Sequence, residues 1–585
     1  MEVCMSVSTR EGAPQFPTVA SSIPASTHEA MDTAIQMLQE HKQAWVTFTL
    51  RERVALIDEL IKDFVAISPR WVAAGLNAKS VPQDTLGEEW LAGTFPVVKN
   101  LRQLRQSLVD IETDGHPKIP GVVKTLPNGQ VVAPVFPLTI YDRIFFGGVT
   151  AEIWMKPGVT AEELPQTQAV VYRDTAHEGK VALVLGAGNV ASIGPMDIFY
   201  KLFVEDQVVL IKMNPVNAYL GPLMEEAFHA LIEKGFLRVT YGGAAEGAYL
   251  CNHAGIDEIH ITGSDKTFDA IVFGAGSEGA TRKAQNNPVL TKRITGELGN
   301  VSPVIVVPGP WSKSDLAYQA EHIVSMLTNN AGFNCNATRV VIEHESWEHR
   351  SQLLQQTRDV LKKVPTRVSY YPGAQDRQKM FVAQHSDAEQ IGTANERELP
   401  WTLITDVDAH NTHDVCFTTE AFCGLFAETT LAAASVVEYI DKAVEFANES
   451  LWGTLNATIL VHPTSLKDPA IAAAVERAVA NLRYGSIGVN YWAGTSFALC
   501  STTWGAFPGH SINDIQSGNG VVHNTLMFSR PQKSVLRAPF RSTPTPPWFA
   551  THSKAAAKVF PKLVDLEAFP SLLKVPSILW SAITG

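Results

Sequence analysis

The chain has 585 residues, more than a single hydrophobic core organises, so three or four structural units are expected. Hydrophobic residues make up 45% and charged residues 18%, an ordinary globular balance. The net charge of −12 argues against a nucleic-acid partner, which calls for a basic patch or domain.

Residues 1–25 are rich in Ser, Thr, Pro and Ala and read as a loose arm. Helical spacing follows over 28–66, with Met31, Ile35, Leu38 and Trp45 and then Leu56, Ile57, Leu60 and Phe64 on one face. A further helix is expected over 87–111. Two strand-like runs, 131–136 and 151–155, flank a turn containing Gly147 and Gly148. They are read either as a hairpin detached from the main sheet, suited to oligomerisation, or as an edge hairpin of the same domain.

From residue 181 onward, short apolar runs at 181–185, 207–211, 237–240 and 258–261 alternate with helical stretches at 197–204, 220–233, 244–251 and 264–273. That alternation predicts a doubly wound α/β unit with a parallel sheet. A second series begins near residue 303 and runs to about 490, predicting a second α/β unit. The end of the chain, 564–583, is apolar. It is expected to pack on its own protein or a partner subunit rather than lie on a membrane, with Pro570 and Pro576 breaking any helix.

Six cysteines stand at 4, 251, 335, 416, 423 and 500, with no Cys-x-x-Cys pair and no Cys/His ligand spacing. No metal site is therefore expected, and reduced thiols point to a cytoplasmic setting. No run reaches about 18 apolar residues, so no membrane-spanning helix is expected. Residues 1–16 carry Glu2 and lack the basic-then-apolar pattern of a secretory signal.

The chemistry concentrates in two segments. Asn330-Ala331-Gly332-Phe333-Asn334-Cys335-Asn336 sets a cysteine among small and amide residues. Gly296-Glu297-Leu298-Gly299-Asn300 offers a carboxylate after an apparent strand run at 290–295. A lone cysteine is more often a small buried hydrophobe. A thiol and a carboxylate meeting in one pocket, however, support two-step acyl chemistry: covalent attack, then release by activated water.

Gly186-Ala187-Gly188-Asn189-Val190-Ala191 fits the dinucleotide fingerprint G-x-G-x-x-A, which needs an acidic residue at the end of the next strand. Lys212 stands there instead, which weakens that reading. An alternative uses Lys212 for the adenosine ribose or a 2′-phosphate and leaves Asn189 free to point at a reacting carbonyl. A pyrophosphate then sits at Thr262-Gly263-Ser264, where a strand turns into a helix. A plain helix cap by Ser264 looks identical in sequence.

Taken in order, Asn189, Lys212, Gly263-Ser264, Glu297-Leu298-Gly299, Gly332-x-x-Cys335 and Glu420-Ala421-Phe422 resemble the aldehyde dehydrogenase superfamily over residues 30–540. The resemblance implies Cys335 as nucleophile, Asn189 with the Cys335 backbone N–H as oxyanion hole, and Glu297 as base for water. It implies Lys212, Gly263 and Ser264 for the adenosine and pyrophosphate ends of NAD or NADP, and Glu420 and Phe422 for the nicotinamide end.

It further implies two doubly wound α/β domains, one cofactor-binding (26–129 and 160–299) and one catalytic (300–520). A β-hairpin oligomerisation element (130–159 and 521–550) joins them, leaving 551–585 as a C-terminal extension. A homodimer or homotetramer acting on a small, apolar aldehyde is the implied state, with Trp492, Phe497 and Trp504 near the tunnel mouth. Pro215 stands where NAD-preferring members carry a Glu, which leaves room for NADP. Asn300 and Phe333 depart from the family pattern. The segment around Gly188-Asn189 is also similar to acyl-CoA reductases, which run the thioester chemistry in reverse. A catalytically silent scaffold of the same fold is the third reading.

Overall fold

The computed structural model describes residues 12, 16–17, 21–81, 86–174 and 176–584. Most of the 1–25 arm, including Cys4 and all of 1–16 except Gly12 and Phe16, lies outside the described residues.

Two sheets organise the chain. The smaller has five parallel strands in the order Leu237–Thr240, Val208–Lys212, Val181–Leu185, Glu258–Gly263 and Arg293–Leu298. The chain starts in the middle, winds outward one way, and then returns to wind the other way. That reversal opens a crevice at the C-terminal ends of Val181–Leu185 and Glu258–Gly263. The strands Val181–Leu185 and Val208–Lys212 are apolar along most of their length, because helices such as His28–Val46 and Ile193–Phe199 pack on the sheet.

The larger sheet has eleven strands. Seven run parallel, in the order Pro531–Arg537, Ser486–Val489, Asn456–Leu460, Ser302–Val306, Thr338–His344, Leu425–Leu431 and Trp401–Val407. The hairpin strands Val131–Phe136 and Thr150–Met155 extend this sheet through antiparallel pairing of Thr150–Met155 with Pro531–Arg537. The hairpin is thus an edge of the main sheet in its own chain. The expectation of a detached hairpin is corrected: Pro531–Arg537 pairs it to Ser486–Val489 through a continuous backbone ladder.

Several boundaries differ from expectation for local reasons. The 28–66 stretch is two helices, His28–Val46 and Leu50–Lys79, separated where Thr49 and Glu52 form a capping box. The strand anticipated at 290–295 is Arg293–Leu298, so Glu297 lies inside the strand rather than after it. The segment Gly299-Asn300-Val301 then leads directly from the last strand of the smaller sheet into Ser302–Val306 of the larger one. Glu297 therefore stands at the junction of the two sheets.

The C-terminal extension forms the helices Ser553–Ala568 and Val575–Thr584. Pro576 does not break the second, because it occupies the first helical turn, where a missing N–H costs nothing. The first packs against Phe95–Asp114. There Lys99, fully buried, donates to Asp142 at 2.8 Å and to Glu567 at 3.0 Å, and Arg102 donates to Glu567 at 3.0 Å. A buried ammonium between two carboxylates fixes where the extension lies, because breaking the pairing leaves an uncompensated charge.

Candidate active site

The loop carrying Cys335 follows the helix Lys313–Thr328. Asn330, Ala331 and Gly332 adopt φ of 52°, 56° and 80°, three left-handed residues in succession. Gly332 has no alternative there, since a Cβ would lie 2.5 Å from the Cys423 carbonyl oxygen. Arg339, itself buried, pins the turn. It donates to Gly332 O at 2.7 Å, Asn334 O at 3.2 Å, Cys423 O at 2.6 Å and Leu425 O at 3.2 Å. The guanidinium thus ties the loop to the start of the neighbouring strand Leu425–Leu431.

This turn delivers the Cys335 sulfur to 3.7 Å from Glu297 Oε1. The same carboxylate oxygen accepts the Trp504 indole N–H at 3.0 Å. Burial, with Asp197 nearby, pushes the Glu297 carboxyl up to about 8, against the opposing Trp504 hydrogen bond. Burial and the neighbouring Glu297 and Glu420 carboxylates raise the Cys335 thiol well above its ordinary value. The resting pair is therefore a thiol beside a carboxyl whose protonation changes just above neutrality.

Asn189 lies in the same pocket, but its amide is not free as expected. One N–H donates to Phe333 O at 2.9 Å, so only the second hydrogen of Nδ2 remains for another acceptor. Its backbone carbonyl accepts from Asn330 Nδ2 and from the Tyr370 hydroxyl, each at 3.0 Å. Asn330 Oδ1 in turn accepts from Tyr370 at 3.0 Å and from Lys79 Nζ at 3.1 Å, and Lys79 pairs with Glu89 at 2.7 Å. This buried polar network clamps the Asn189 turn to the Cys335 loop.

The residues expected to hold a cofactor line the crevice unevenly. Lys212 ends its strand and donates to Gly242 O and Gly243 O at 2.9 and 3.1 Å; burial brings its ammonium down to about 8. Ser264 Oγ accepts Thr267 N at 3.2 Å, so it caps Asp265–Phe273, the plainer of its two readings. Gly263 beside it is exposed. At Gly188 a Cβ would lie 2.8 Å from Asn214 Oδ1 and 2.9 Å from Val216 Cβ, so the close approach of the next loop requires glycine there.

Glu420 accepts Asn300 N–H at 3.2 Å and crowds Gly299, where a Cβ would clash with Glu420 Oε2. Phe422 does not face open space. It is buried, at φ 42°, in a cluster with Tyr371, Phe16 and Phe333. The backbone of Gly12 also bonds across Thr418 O and Glu420 N.

Asn300, one of the two departures, is fully buried and donates to Asn456 O at 2.9 Å, tying the sheet junction to the strand Asn456–Leu460. Phe333 packs its ring on Tyr370 at 4.9 Å.

The thiol opens into a cavity of about 240 Å³. Trp492, Phe497 and Trp504 line it, as do Ile193, Phe95 and Trp548. Sequence reasoning missed its roof: Val559, Phe560 and Leu563 of one C-terminal helix and Ile578, Leu579 and Ala582 of the other. It also missed Arg339, Lys79 and Tyr370. Lys79 and Tyr370 carry no local signal, since their partners lie 251 and 40 residues away in the chain.

Residues 204–382 match the aldehyde dehydrogenase family model, a span that includes Glu297 and Cys335. An N-succinylglutamate 5-semialdehyde dehydrogenase from Novosphingobium aromaticivorans is 28% identical over 179 residues, 29% of this chain and 35% of that protein. Human retinal dehydrogenase 2 is 29% identical over 172 residues, 29% of this chain and 27% of that protein. The matched region thus spans about a third of the length of these relatives.

Similarity of fold extends much further. An NADP-dependent glyceraldehyde-3-phosphate dehydrogenase from Bacillus halodurans, in complex with NADP, superposes with a TM-score of 0.59 at 17% identity. It covers 88% of this chain and 92% of that one. An NAD-dependent aldehyde dehydrogenase from Sinorhizobium meliloti gives 0.59 at 15% identity, covering 89% of each chain. Residues 204–382 thus match the aldehyde dehydrogenase family, and the chain as a whole shares the fold of these solved dehydrogenases.

Proposed function

We propose that the protein oxidises an apolar aldehyde to a carboxylic acid with NAD or NADP. The observation that carries this reading is the Cys335 sulfur 3.7 Å from Glu297 Oε1 at the base of an apolar cavity. Cys335 gives up its S–H proton to water in the cavity, its sulfur bonds the aldehyde carbon, and the C=O electron pair moves onto the oxygen. The free Nδ2 hydrogen of Asn189 and the Cys335 backbone N–H receive the oxyanion, and one such donor contributes about 3–4 kcal/mol.

The crevice at the reversal of the smaller sheet suits a dinucleotide. Lys212 ends one strand, Gly263 leaves the backbone beside a helix N-terminus open, and Glu420 stands on the Cys335 side. The bound nicotinamide supplies the hydride acceptor. Glu297, once ionised, draws a proton from water to release the acyl group from Cys335. Pro215 in place of a carboxylate removes repulsion of a 2′-phosphate, which supports use of NADP alongside NAD.

Retention of Glu297 within reach of the thiol favours hydrolysis over transfer to coenzyme A. Assays following reduced nicotinamide over short, long and aromatic aldehydes, with both cofactors and with or without coenzyme A, test this. Turnover without coenzyme A that vanishes in Cys335→Ser is expected. Turnover that requires coenzyme A assigns the acyl-CoA reductase reading instead. A Cys335 inert to iodoacetamide together with no cofactor binding assigns the scaffold. The edge hairpin is the segment through which we expect copies of the chain to form a dimer or tetramer, within the cytoplasm.

A further inference from the structure

We infer that His385, Asp414 and Cys416 form a site for a thiophilic divalent cation such as Zn²⁺, separate from the Cys335 pocket. Their ligand atoms all lie within 4.8 Å of one another. His385 Nε2 is 3.1 Å from Asp414 Oδ1 and 3.5 Å from Cys416 Sγ. Tetrahedral zinc holds nitrogen and oxygen at about 2.0 Å and sulfur at about 2.3 Å, which separates N from O by about 3.3 Å and N from S by about 3.5 Å. The observed separations match both values.

The donor set suits the ion. One thiol, one imidazole and one carboxylate make a mixed N/O/S set that favours zinc over the oxygen-seeking calcium or magnesium. The His385 and Asp414 side chains keep 13% and 11% exposure, which admits a water as fourth ligand. Binding replaces the Cys416 S–H proton with the metal and releases that proton to solvent. Among the described residues this is the one His/Cys/Asp/Glu group with such spacing. It leaves no trace in the sequence because His385 precedes Asp414 by 29 residues.

The location gives the site a consequence. His385 follows the helix Ala374–Gln384, and Asp414 and Cys416 open the short helix Val415–Thr418, which leads into Thr419 and Glu420. Arg377 of the longer helix already donates to Ala421 O at 3.1 Å and Phe422 O at 3.0 Å. A metal at 385/414/416 adds a second tie between the same two segments, stiffening the one that carries Glu420.

Chelator-treated Cys335→Ser protein, titrated with Co²⁺, tests the site without interference from the reactive thiol. One equivalent of Co²⁺ is expected to give tetrahedral visible bands and a thiolate-to-cobalt band in the near ultraviolet, both displaced by Zn²⁺. Adding Cys416→Ser abolishes the near-ultraviolet band, and adding His385→Asn weakens Co²⁺ binding at least tenfold. Zn²⁺ raises the melting temperature of the parent and not of either variant. No thiolate band at millimolar Co²⁺, or a band that survives Cys416→Ser, overturns the assignment. If Cys416→Ser does not fold, His385→Asn decides, and undiminished binding there overturns it equally.

Discussion

The Cys335 thiol and the Trp504 indole N–H address one atom: Glu297 Oε1 lies 3.7 Å from the sulfur and 3.0 Å from the nitrogen. Trp504 is thus more than a wall of the cavity. Its N–H stabilises the ionised carboxylate that burial opposes, and so sets how much of Glu297 is ionised near neutral pH.

Glu297 titrates near 8, and only its ionised form accepts a proton from water. The deacylation rate is expected to rise as pH rises through about 8 and to level off above it. In Glu297→Gln the steady-state rate falls about 10²–10⁴-fold. A single-turnover burst of reduced nicotinamide is expected to persist, because the proposed attack by Cys335 does not use Glu297. Stopped-flow absorbance compared with steady-state kcat across pH checks both statements.

Trp504→Phe keeps the ring and removes the N–H. A hydrogen bond to a charged group contributes about 1.5–3 kcal/mol, so the midpoint of the kcat–pH profile is expected to move up by about one unit or more. An unmoved midpoint rules out Trp504 as the group that tunes Glu297.

Arg339→Met leaves the carbonyls of Gly332, Asn334, Cys423 and Leu425 without their donor. Unsatisfied buried acceptors cost about 1–3 kcal/mol each before relaxation, so a loss of at least about 3 kcal/mol is expected. Urea unfolding measures it. Faster iodoacetamide labelling at Cys335 reports the loosened loop.

Gly332→Ala places a methyl 2.5 Å from the Cys423 oxygen at φ 80°. Left-handed strain alone costs about 1–3 kcal/mol, and relief of the clash moves the Cys335 loop. Thermal melting is expected to fall, with kcat reduced more than cofactor binding.

Leu579 lines the cavity yet is 37% exposed, so shortening it spares the core. Leu579→Ala removes apolar contact worth about 1–2 kcal/mol from a chain that reaches the roof. KM for long alkyl aldehydes is expected to rise several-fold, with acetaldehyde unchanged. Equal effects on both place the substrate elsewhere.

The alternating units were legible because parallel strands covered by helices carry near-continuous apolar runs, as in Val181–Leu185, whose bounds agree with expectation. The hairpin at 131–155 was legible as strands but not in its partner, since Pro531–Arg537 comes some 380 residues later. The helix Val575–Thr584 was missed because a proline in a first turn and a proline in a helix interior differ only by where the helix begins.

Residue types at the site and their order were readable from the chain itself, since a thiol, a carboxylate and a carboxamide in small-residue contexts are local features. Tertiary structure alone decided what surrounds them. It brought Trp504 onto Glu297, turned one Asn189 N–H toward Phe333, enclosed Phe422 among aromatic rings and laid the C-terminal helices over the cavity. These outcomes rest on contacts between residues tens to hundreds of positions apart, and no local periodicity or propensity encodes such distances.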